Sequence, residues 1–409
     1  MSNGHLKSKS QPPPGAESTR PRLLSLDALR GFDMFWIVGG DNLIHALRLA
    51  LPVAPLRLID GQMDHVDWNG LAFYDLIFPL FVFMIGISIV FSLTRTIEKV
   101  GKTAAIKRIL LRSLILYSLG VLVYHGVADG FDRIRWVGVL QRLAICYCFA
   151  SLIFCWFRLR AMIALVVVIL LGYWGIMATI PIRDINLETE HLKALYAQTG
   201  TTNTMALFLS ATNTVKGRFD DGLTVAQHFD FQYLPGRKWD GAYDPEGILS
   251  TLPAIATCLL GVFAGLWLRS PSGNDQSKVR GLAVAGVCAI ALGCLWGTQF
   301  PIIKKIWSSS YVLVAGGFSA LFLALFYYLI EIKRWRKWCI PFVWIGMNSI
   351  TIYMVFHIMK VEDLAKFLVG GPIKAGLGNY GELLLRLVVT GMMFAFVRFL
   401  YQRKIFLRL

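Results

Sequence analysis

The chain has 409 residues, of which 56% are hydrophobic and only 16% are charged, and its mean hydropathy is +0.58. A soluble domain carries nearer a quarter of charged residues, so this composition argues against a soluble enzyme and predicts a polytopic membrane protein. The formal charge of +16 would also suit nucleic acid, but the basic residues flank apolar segments, so we expect anionic lipid of the bilayer as their partner and no nucleic acid.

The chain begins with a polar segment. Residues 1–22 are basic and contain several prolines, which is typical of a disordered tail. The apolar segment that follows is interrupted by Asp27, Arg30 and Asp33, which does not fit a signal peptide. We therefore expect a cytoplasmic tail of residues 1–22 and a single transmembrane domain of residues 23–409.

Long apolar segments follow at regular intervals. A helix that crosses the hydrocarbon layer needs about 20 mostly apolar residues. Segments of this kind lie at about 29–50, 71–94, 108–125, 138–156, 161–180, 248–268, 281–298, 308–332, 341–358 and 380–401. The positive-inside rule places both termini in the cytoplasm and the long polar segment 181–246 outside. The sequence thus predicts an all-α bundle of about ten spans with one extracytoplasmic loop.

Cysteine and histidine spacing gives no sign of a metal site. None of the seven cysteines falls in the polar segment 181–246, so we expect neither disulfides nor a cysteine-based metal site. The histidines show no HxH or HxxxH spacing. We therefore expect no bound metal.

The first span carries several polar residues. An ionisable group inside a span costs about 2.5–3.5 kcal/mol on insertion scales, so it is usually functional or paired. Asp27 and Arg30 are spaced to pair on one helix face. Asp41 and Asn42 follow a Gly-Gly step, where a break in the helix would give room for a ligand.

The second span begins with the most unusual stretch, DHVDWNGLAFYD. His65 lies just ahead of a turn formed by Trp68 and Asn69, and Asp75 lies one helical turn before Pro79. Because the proline frees the carbonyl one turn earlier, Asp75 either satisfies this irregular turn or orients the histidine ring. Both interpretations are open from the residues alone.

Later spans add polar groups near their outer ends. Gln141 and Arg142 lie about one turn inside the fourth span, where the arginine either reaches the headgroups or faces the bundle. Asp244 and Glu246 flank a proline at the start of the sixth span, which indicates a helix start and also offers ligands to a hydroxyl-rich or cationic molecule. The ninth span contributes groups that suit interhelical hydrogen bonds or a binding site, namely Asn348, Ser349 and His357.

Two functions fit these residues. One is a proton-coupled secondary transporter of a sugar-like substrate, with Asp75, Asp41 and a histidine as proton relay. The other is a membrane-embedded enzyme whose chemistry lies around His65. A transporter predicts inverted repeats with matching interruptions, but DHVDWNG and YDPEGIL do not resemble each other. This favours the enzyme.

Five motifs occur in the order SLDALRGFDMF, HVDWNGLAFYDLIFPLFVFMIGISI, VGVLQRLA, YDPEGILSTLPAI and GMNSITIY. In this order and spacing the chain resembles the heparan-alpha-glucosaminide N-acetyltransferase family over nearly all of residues 22–409. The resemblance implies a multi-span acetyltransferase that takes acetyl-CoA from the cytoplasm and acetylates an amino sugar on the far side of the membrane. It also suggests a homodimer.

The resemblance assigns roles to particular residues. The family's active-site histidine precedes a W-N-G motif, which places it on His65. On chemical grounds a neighbouring carboxylate, Asp64, Asp67 or Asp75, would fix its tautomer, and we expect Asp75 to act with His65 in catalysis. Where the family has an asparagine at the outer end of the first span, this sequence has Asp41. Substrate contacts are expected from Asp41, Asn42, Trp68, Asn69, Gln141, Arg142, Asp244, Glu246, Asn348, Ser349 and His357. Phosphates of acetyl-CoA are expected on cytoplasmic cations, for which Arg108, Arg112 and Arg158 are candidates, although each also suits a topology anchor.

The identity of the acetyl acceptor is the least direct of these inferences. Larger family members carry a luminal N-terminal domain and an extra leading span, whereas here a short tail leads straight into RLLSLDALRG. The resemblance therefore suggests the bacterial form, in the inner membrane, with an amino sugar or another envelope glycan as acceptor. Whether the histidine acts as a base or carries the acetyl group is open at this stage, as is N- or O-acetylation.

Overall fold

The computed structural model describes residues 23–124, 126, 128, 130–271 and 273–407. The tail expected for residues 1–22 lies outside the described residues. In the described part, strands are confined to Ile182–Arg183 and Thr214–Val215, which pair antiparallel. The expectation of an all-α fold is confirmed, and all seven cysteines are free thiols.

The described part of the chain contains seventeen α-helices. They are α1 Leu24–Phe35, α2 Asp41–Ala50, α3 Ala54–Asp60, α4 Ile77–Val123, α5 Val139–Trp156, α6 Leu159–Thr179, α7 Thr189–Thr199, α8 Thr204–Ser210, α9 Val225–Tyr233, α10 Thr251–Arg269, α11 Asp275–Trp296, α12 Ser309–Tyr327, α13 Ile340–Gly346, α14 Ser349–Ile358, α15 Val361–Val369, α16 Pro372–Gly376 and α17 Asn379–Gln402. Short 3₁₀ turns at Phe73–Leu76 and Phe131–Arg133 and π-helical turns at Trp36–Gly40 and Tyr328–Ile332 complete the helical segments.

Seven helical elements of the described chain are long and apolar enough to cross a membrane, or eight if the bent pair α13–α14 counts as one span. This number counts helical elements rather than crossings, which is why it lies below the predicted ten spans. Two predicted spans, 71–94 and 108–125, lie in one continuous element, Phe73–Val123. The first predicted span is broken into α1 and α2, each too short to cross alone.

The two ends of the bundle differ. The amino ends of α5 and α10 lie side by side, because Arg142 of α5 donates to the carbonyl oxygen of Gly247 at 3.3 Å. Residues 181–250 pack on this end, which we call the loop end. The carboxyl ends of α5 and α10 mark the opposite end.

Helix α4 folds back on itself. Gly101 has φ +81° and ψ 169°, which is not helical. Shortly before it, Glu98 pairs with Arg269, the last residue of α10, at 3.1 Å. After it, the Tyr117 hydroxyl donates to the carbonyl of Trp136 at 2.7 Å, next to the start of α5. The element therefore runs to the opposite end, turns at Gly101 and returns to the loop end, which gives it two crossings.

Glycines let the main helices touch backbone to backbone. A Cβ at Gly86 of α4 would lie 1.9 Å from the carbonyl oxygen of Cys258, and a Cβ at Gly261 of α10 would lie 1.9 Å from that of Phe83. Small residues allow this close approach in membrane helices, where dispersion rather than water drives association. The contact fixes the first half of α4, and thereby the start of the second predicted span, against α10.

The Gly-Gly step of the first span is a real break. Trp36–Gly40 forms a π-helical turn, and Gly39 adopts φ +131°, which favours glycine. Asp41 begins the next helix. Such π-turns often occur at functional sites, and this one leaves polar groups near the loop end.

The segment 181–250 is folded rather than an open loop. Its three helices enclose a small apolar cluster that includes Leu187, Leu192, Phe208 and Tyr243. Thr224 and Gln227 form a capping box at the start of α9. Local capping and this cluster let the segment cover the loop end as a defined cap.

The glycine contact predicts an asymmetric effect of two similar substitutions. Gly261→Ala places a methyl group against the Phe83 carbonyl, so we expect a loss of about 3 kcal/mol or more and a clearly lower melting temperature in detergent. Gly172→Ala in α6 has open space around its Cβ and should leave stability unchanged or raise it by up to about 1 kcal/mol. Equal melting temperatures for the two variants would contradict the close α4–α10 contact.

Candidate active site

His65 and Asp75 are in direct contact. His65 Nδ1 lies 2.8 Å from Asp75 Oδ1. The other carboxylate oxygen accepts the backbone N–H groups of Ala72 at 3.1 Å and Val66 at 3.3 Å. Asp75 is 1% exposed, whereas the His65 side chain is 53% exposed. The buried acid thus holds both the loop and the ring, while the ring faces open space.

Lys304 completes this cluster and was not identified from the sequence. Its Nζ lies 3.2 Å from Asp75 Oδ1, and 2.9 and 3.2 Å from the two ring nitrogens of His65. Burial lowers the pKa of the Lys304 amine, and the charge of Asp75 opposes that change. The only sequence signal was a pair of lysines directly before a span. The positive-inside rule already accounts for such lysines as charges that flank a membrane helix.

The contacts define which ring nitrogen is available for chemistry. Since Asp75 is an acceptor, it favours the His65 tautomer with hydrogen on Nδ1. This leaves the lone pair on Nε2 facing Lys304 Nζ at 3.2 Å, and Nε2 can accept a proton or attack an electrophile once the ammonium turns to another acceptor. The ammonium of Lys304 beside the ring can stabilise negative charge that develops on an oxygen nearby.

The broken first span reaches this cluster through a tyrosine. The rings of His65 and Tyr74 lie 4.8 Å apart between centroids. The Tyr74 phenol faces the carboxylate of Asp41, and the Asn42 amide donates to Asp41 Oδ1 at 3.1 Å. The structure therefore brings two expected substrate-binding residues, 41 and 42, to the neighbourhood of His65.

The W-N-G turn binds by hydrogen bonds to two other segments, the cap and the loop before α12. The Trp68 indole donates to the carbonyl of Phe219 in the cap at 2.6 Å. Asn69 forms an antiparallel bridge with Ile303, the residue before Lys304. The contacts seen for Trp68 and Asn69 are therefore with protein, and they set the position of the His65 loop relative to Lys304.

Arg142 faces the bundle rather than the headgroups. It is 1% exposed, donates to the carbonyl of Gly247 and the hydroxyl of Ser250, and lies 4.9 Å from the Trp307 ring centroid. Its Nε and Nη1 have no hydrogen-bond partner among the described residues, and the same holds for Gln141 Oε1. Buried donors without partners are costly, so an anionic or carbonyl oxygen of a ligand would satisfy this guanidinium.

Asp244 and Glu246 are both engaged by Arg135. Asp244 accepts Nε and Nη2 of this arginine at 2.9 and 2.8 Å, and Glu246 accepts Nη2 at 2.7 Å. Asp244 also accepts the backbone N–H groups of Trp239 and Glu246. Helix α10 begins only at Thr251, so the motif lies in the turns before the helix rather than in its first turn. Burial raises the pKa of Glu246, Asp244 raises it further, and Arg142 and Arg135 oppose both effects.

The residues of the ninth span lie at a bend of 74° between α13 and α14. Asn348 is buried at this bend, and its amide has no partner among the described residues. Ser349 donates to the carbonyl of Gly346 at 3.1 Å. His357 donates from Nδ1 to the Tyr353 carbonyl at 2.9 Å and stacks on that ring. No described contact joins these residues to His65.

The basic candidates for acetyl-CoA lie away from the loop end. Arg108 is exposed, seven residues after the turn at Gly101, and Arg158 caps the start of α6 just after α5 ends. The Arg112 guanidinium lies 4.6 Å from the Tyr147 ring centroid. Arg112 therefore lies near the middle of α5, and Arg108 and Arg158 lie nearer the opposite end.

Asp230 links the cap to the start of α10. Its Oδ1 accepts the N–H of Ile248 at 3.0 Å, and a Cβ at Gly247 would lie 1.7 Å from its Oδ2. Burial raises the pKa of Asp230 from 3.8 to about 7, although the Ile248 N–H and the Arg142 charge lower it. The carboxyl therefore titrates near neutrality beside the backbone that Arg142 binds.

Comparison with curated proteins gives two relatives, while no family model matches the chain. The heparan-alpha-glucosaminide N-acetyltransferase of Homo sapiens is 26% identical over 426 residues, which cover 94% of this chain and 60% of the relative. The protein of the same name from Mus musculus is 28% identical over 331 residues, which cover 72% and 49%. The chain thus spans between about half and three fifths of these relatives, and the resemblance seen in the motifs is confirmed.

The titration of Asp230 predicts a pH-dependent stability. Because its folded pKa lies above that of the unfolded chain, its contribution is fully present below about pH 4 and is lost as the pH rises through about 7, by at most about 4 kcal/mol. We expect the melting temperature of Asp230→Asn to fall less than that of wild type between pH 5 and pH 8. Asp220→Asn, which alters an exposed acid, is the matched control. A wild-type slope retained in Asp230→Asn would refute this assignment.

Proposed function

Because the chain belongs to the heparan-alpha-glucosaminide N-acetyltransferase family, we propose that it is a transmembrane enzyme that transfers an acetyl group from acetyl-CoA to an amino sugar at its loop end. The observation that carries the proposal is the cluster of His65, Asp75 and Lys304. A half-exposed imidazole backed by a buried carboxylate and flanked by a cation has the parts that acyl transfer to an amine needs.

The proposed chemistry centres on Nε2 of His65. In one route this atom removes a proton from the sugar amine as its nitrogen attacks the thioester carbonyl, and the CoA thiolate leaves. In the other route Nε2 attacks the thioester itself and the CoA thiolate leaves. The amine then attacks the acetyl-imidazole, the bond between the acetyl group and Nε2 breaks, and Nε2 takes up the amine proton. In both routes Asp75 stabilises the positively charged ring, and Lys304 stabilises the oxyanion of the tetrahedral intermediate.

Donor and acceptor are proposed to approach from different ends. The cations at 108 and 158 lie nearer the opposite end and Arg112 lies near the middle of α5, and they would hold phosphates of acetyl-CoA on the cytoplasmic side. From Arg108 to the end of α4 at Val123 is about 23 Å along the helix axis, so a donor held at Arg108 would have to reach across much of the bundle. The unpartnered donors of Arg142 would meet an oxygen of the donor on that path.

The acceptor is proposed to be an amino sugar or an envelope glycan on the extracytoplasmic side of a bacterial inner membrane. The cap of residues 181–250 covers the loop end, and acids and amides surround the His65 cluster there. Asp41 and Asn42 lie nearest through Tyr74. These groups suit hydroxyls and the amine of a sugar by hydrogen bonding.

The first test removes the histidine. Purified His65→Ala should lose acetyl transfer from radiolabelled acetyl-CoA to glucosamine by about 100-fold or more, because both routes need this ring. The matched control is His191→Ala, which removes a surface histidine paired with Glu188 at 2.9 Å and should retain wild-type activity. Transfer of label to glucosamine and binding of acetyl-CoA are measured separately.

The same assay separates the routes and the competing function. Label that remains on wild-type protein without acceptor, but not on His65→Ala, would establish the acetyl carrier. If wild type neither binds acetyl-CoA nor transfers label, the acetyltransferase proposal fails, and proton-coupled transport becomes the function to test.

The second test compares adjacent lysines. Lys304→Met should lower the rate about 100-fold, because it removes a donor to the oxyanion, whereas Lys305→Met alters a lysine that pairs with Asp221 at 3.3 Å and should have a small effect. Since burial lowers the pKa of Lys304, the wild-type rate should begin to fall at a pH below the ordinary lysine value. Lys304→Arg should restore part of the rate and remove this alkaline decline, because arginine stays charged. If Lys304 had a purely structural role, the alkaline decline would remain in Lys304→Arg.

A further inference from the structure

A cavity of about 360 Å³ lies beside the break in the first span. Its walls come from the π-helical turn Trp36–Gly40, from α15 and the residues around Phe356, and from α17. Gly39 contributes to it directly, because a Cβ there would meet no atom within 4 Å. The broken helix therefore creates the space that a continuous span would fill.

The two long walls of the cavity change polarity in the same direction. On the first-span side, Phe35 and Val38 line its deep part and Asn42 lies toward the loop end. On α17, Met393 and Arg386 both line the cavity, about 10 Å apart along the helix axis, and Arg386 pairs with Glu362. An apolar interior and a polar mouth match an amphiphile that lies along the membrane normal with its head toward the loop end.

The mouth of the cavity is rich in charged hydrogen-bonding groups. Glu362 pairs with Arg386 at 2.8 Å and with Lys366 at 2.9 Å, and Lys360 and Asp363 line the same rim. Such a rim offers both donors and acceptors to a phosphate or sugar head group. A free sugar would use this rim but would gain nothing from the apolar part below it.

The mouth is continuous with the candidate active site. Asn42 lines the cavity and donates to Asp41, the Asp41 carboxylate faces the Tyr74 phenol, and the Tyr74 ring packs on His65. A head group held at this rim would therefore lie next to the residues that lead to the imidazole. The cations expected to hold acetyl-CoA, at 108, 112 and 158, do not line this cavity.

We propose that this cavity binds the hydrocarbon tail of a lipid-linked amino-sugar acceptor, so that its sugar is presented at His65 from within the membrane. The inference rests on the proposed acetyl transfer and specifies its substrate class. Anchoring in the bilayer raises the effective concentration of an acceptor at a site that opens along the membrane.

The test compares two acceptors that differ only in their tail, methyl β-glucosaminide and dodecyl β-glucosaminide. Wild type, Thr390→Trp and Leu387→Trp are placed in nanodiscs of one lipid composition. Thr390 lines the cavity, whereas Leu387 lies on the same helix with its side chain 51% exposed. Acetyl transfer is measured for both sugars, and binding of the dodecyl sugar without acetyl-CoA is measured by native mass spectrometry.

We expect wild type and Leu387→Trp to show a KM at least about ten-fold lower for the dodecyl than for the methyl sugar. Thr390→Trp should lose this preference and the bound dodecyl sugar, while its kinetics with the methyl sugar stay at wild-type values and show that it is folded. Partitioning into lipid is the same for all three proteins, so the difference isolates the cavity. Val38→Trp fills the same cavity from the opposite wall and provides an independent second variant.

Two outcomes would overturn the inference: a dodecyl preference that survives in both cavity variants, or a co-purified phospholipid in the cavity that the dodecyl sugar does not displace. The latter would make the cavity a site for structural lipid. Binding of the dodecyl sugar that the cavity variants abolish, without transfer to either sugar, would support the amphiphile site and count against the proposed acetyl transfer instead.

Discussion

The candidate site depends on one constraint, which is the burial of the Asp75 carboxylate at the start of a membrane helix. A carboxylate in such a place needs donors for its oxygens. Asp75 obtains them from two backbone N–H groups, from His65 and from Lys304. Its backbone carbonyl accepts the Tyr311 hydroxyl at 2.6 Å. Satisfying one acid thus brings together the loop before α4, the loop before α12 and α12 itself.

Broken helices supply the rest of the polar surroundings. A continuous helix satisfies its own backbone, so polar groups inside a bundle concentrate where helices break or begin. The π-helical turn at Trp36–Gly40 and the bend before Ser349 are two such places. Both place amide or carboxylate groups at depths that an intact span would keep apolar. The close α4–α10 contact through glycines holds the rigid part of the bundle against which these breaks are positioned.

The cap and the bundle are joined by an apolar cluster, in which Val225 and Phe219 of the cap meet Tyr173 and Phe300, and also by charges. Arg135 clamps Asp244 and Glu246 and lies against the rings of Tyr124 and Trp239. Arg142 of α5 donates a hydrogen bond to the carbonyl of Gly247. The turns just before α10 are therefore held by two arginines. One of them, Arg142, keeps donors that have no partner among the described residues. This arrangement couples the conformation of the cap to the polar residues that surround the proposed chemistry.

Local patterns in the sequence determined much of this protein. Hydropathy was enough for an all-α membrane fold, and the Gly-Gly step indicated a break in the first span, because each depends on neighbours along the chain. The short separation of His65 and Asp75 allowed their pairing, but the residues alone also allowed Asp75 to satisfy the irregular turn before Pro79. The tertiary structure alone decided that Asp75 binds His65, that Lys304, 239 residues from His65, completes the cluster, and that Asp244 is bound by Arg135. Helix packing sets these contacts, because complementary shape and the pairing of buried charges bring distant segments together. Neither shape complementarity nor charge pairing between distant residues produces a pattern in the local sequence.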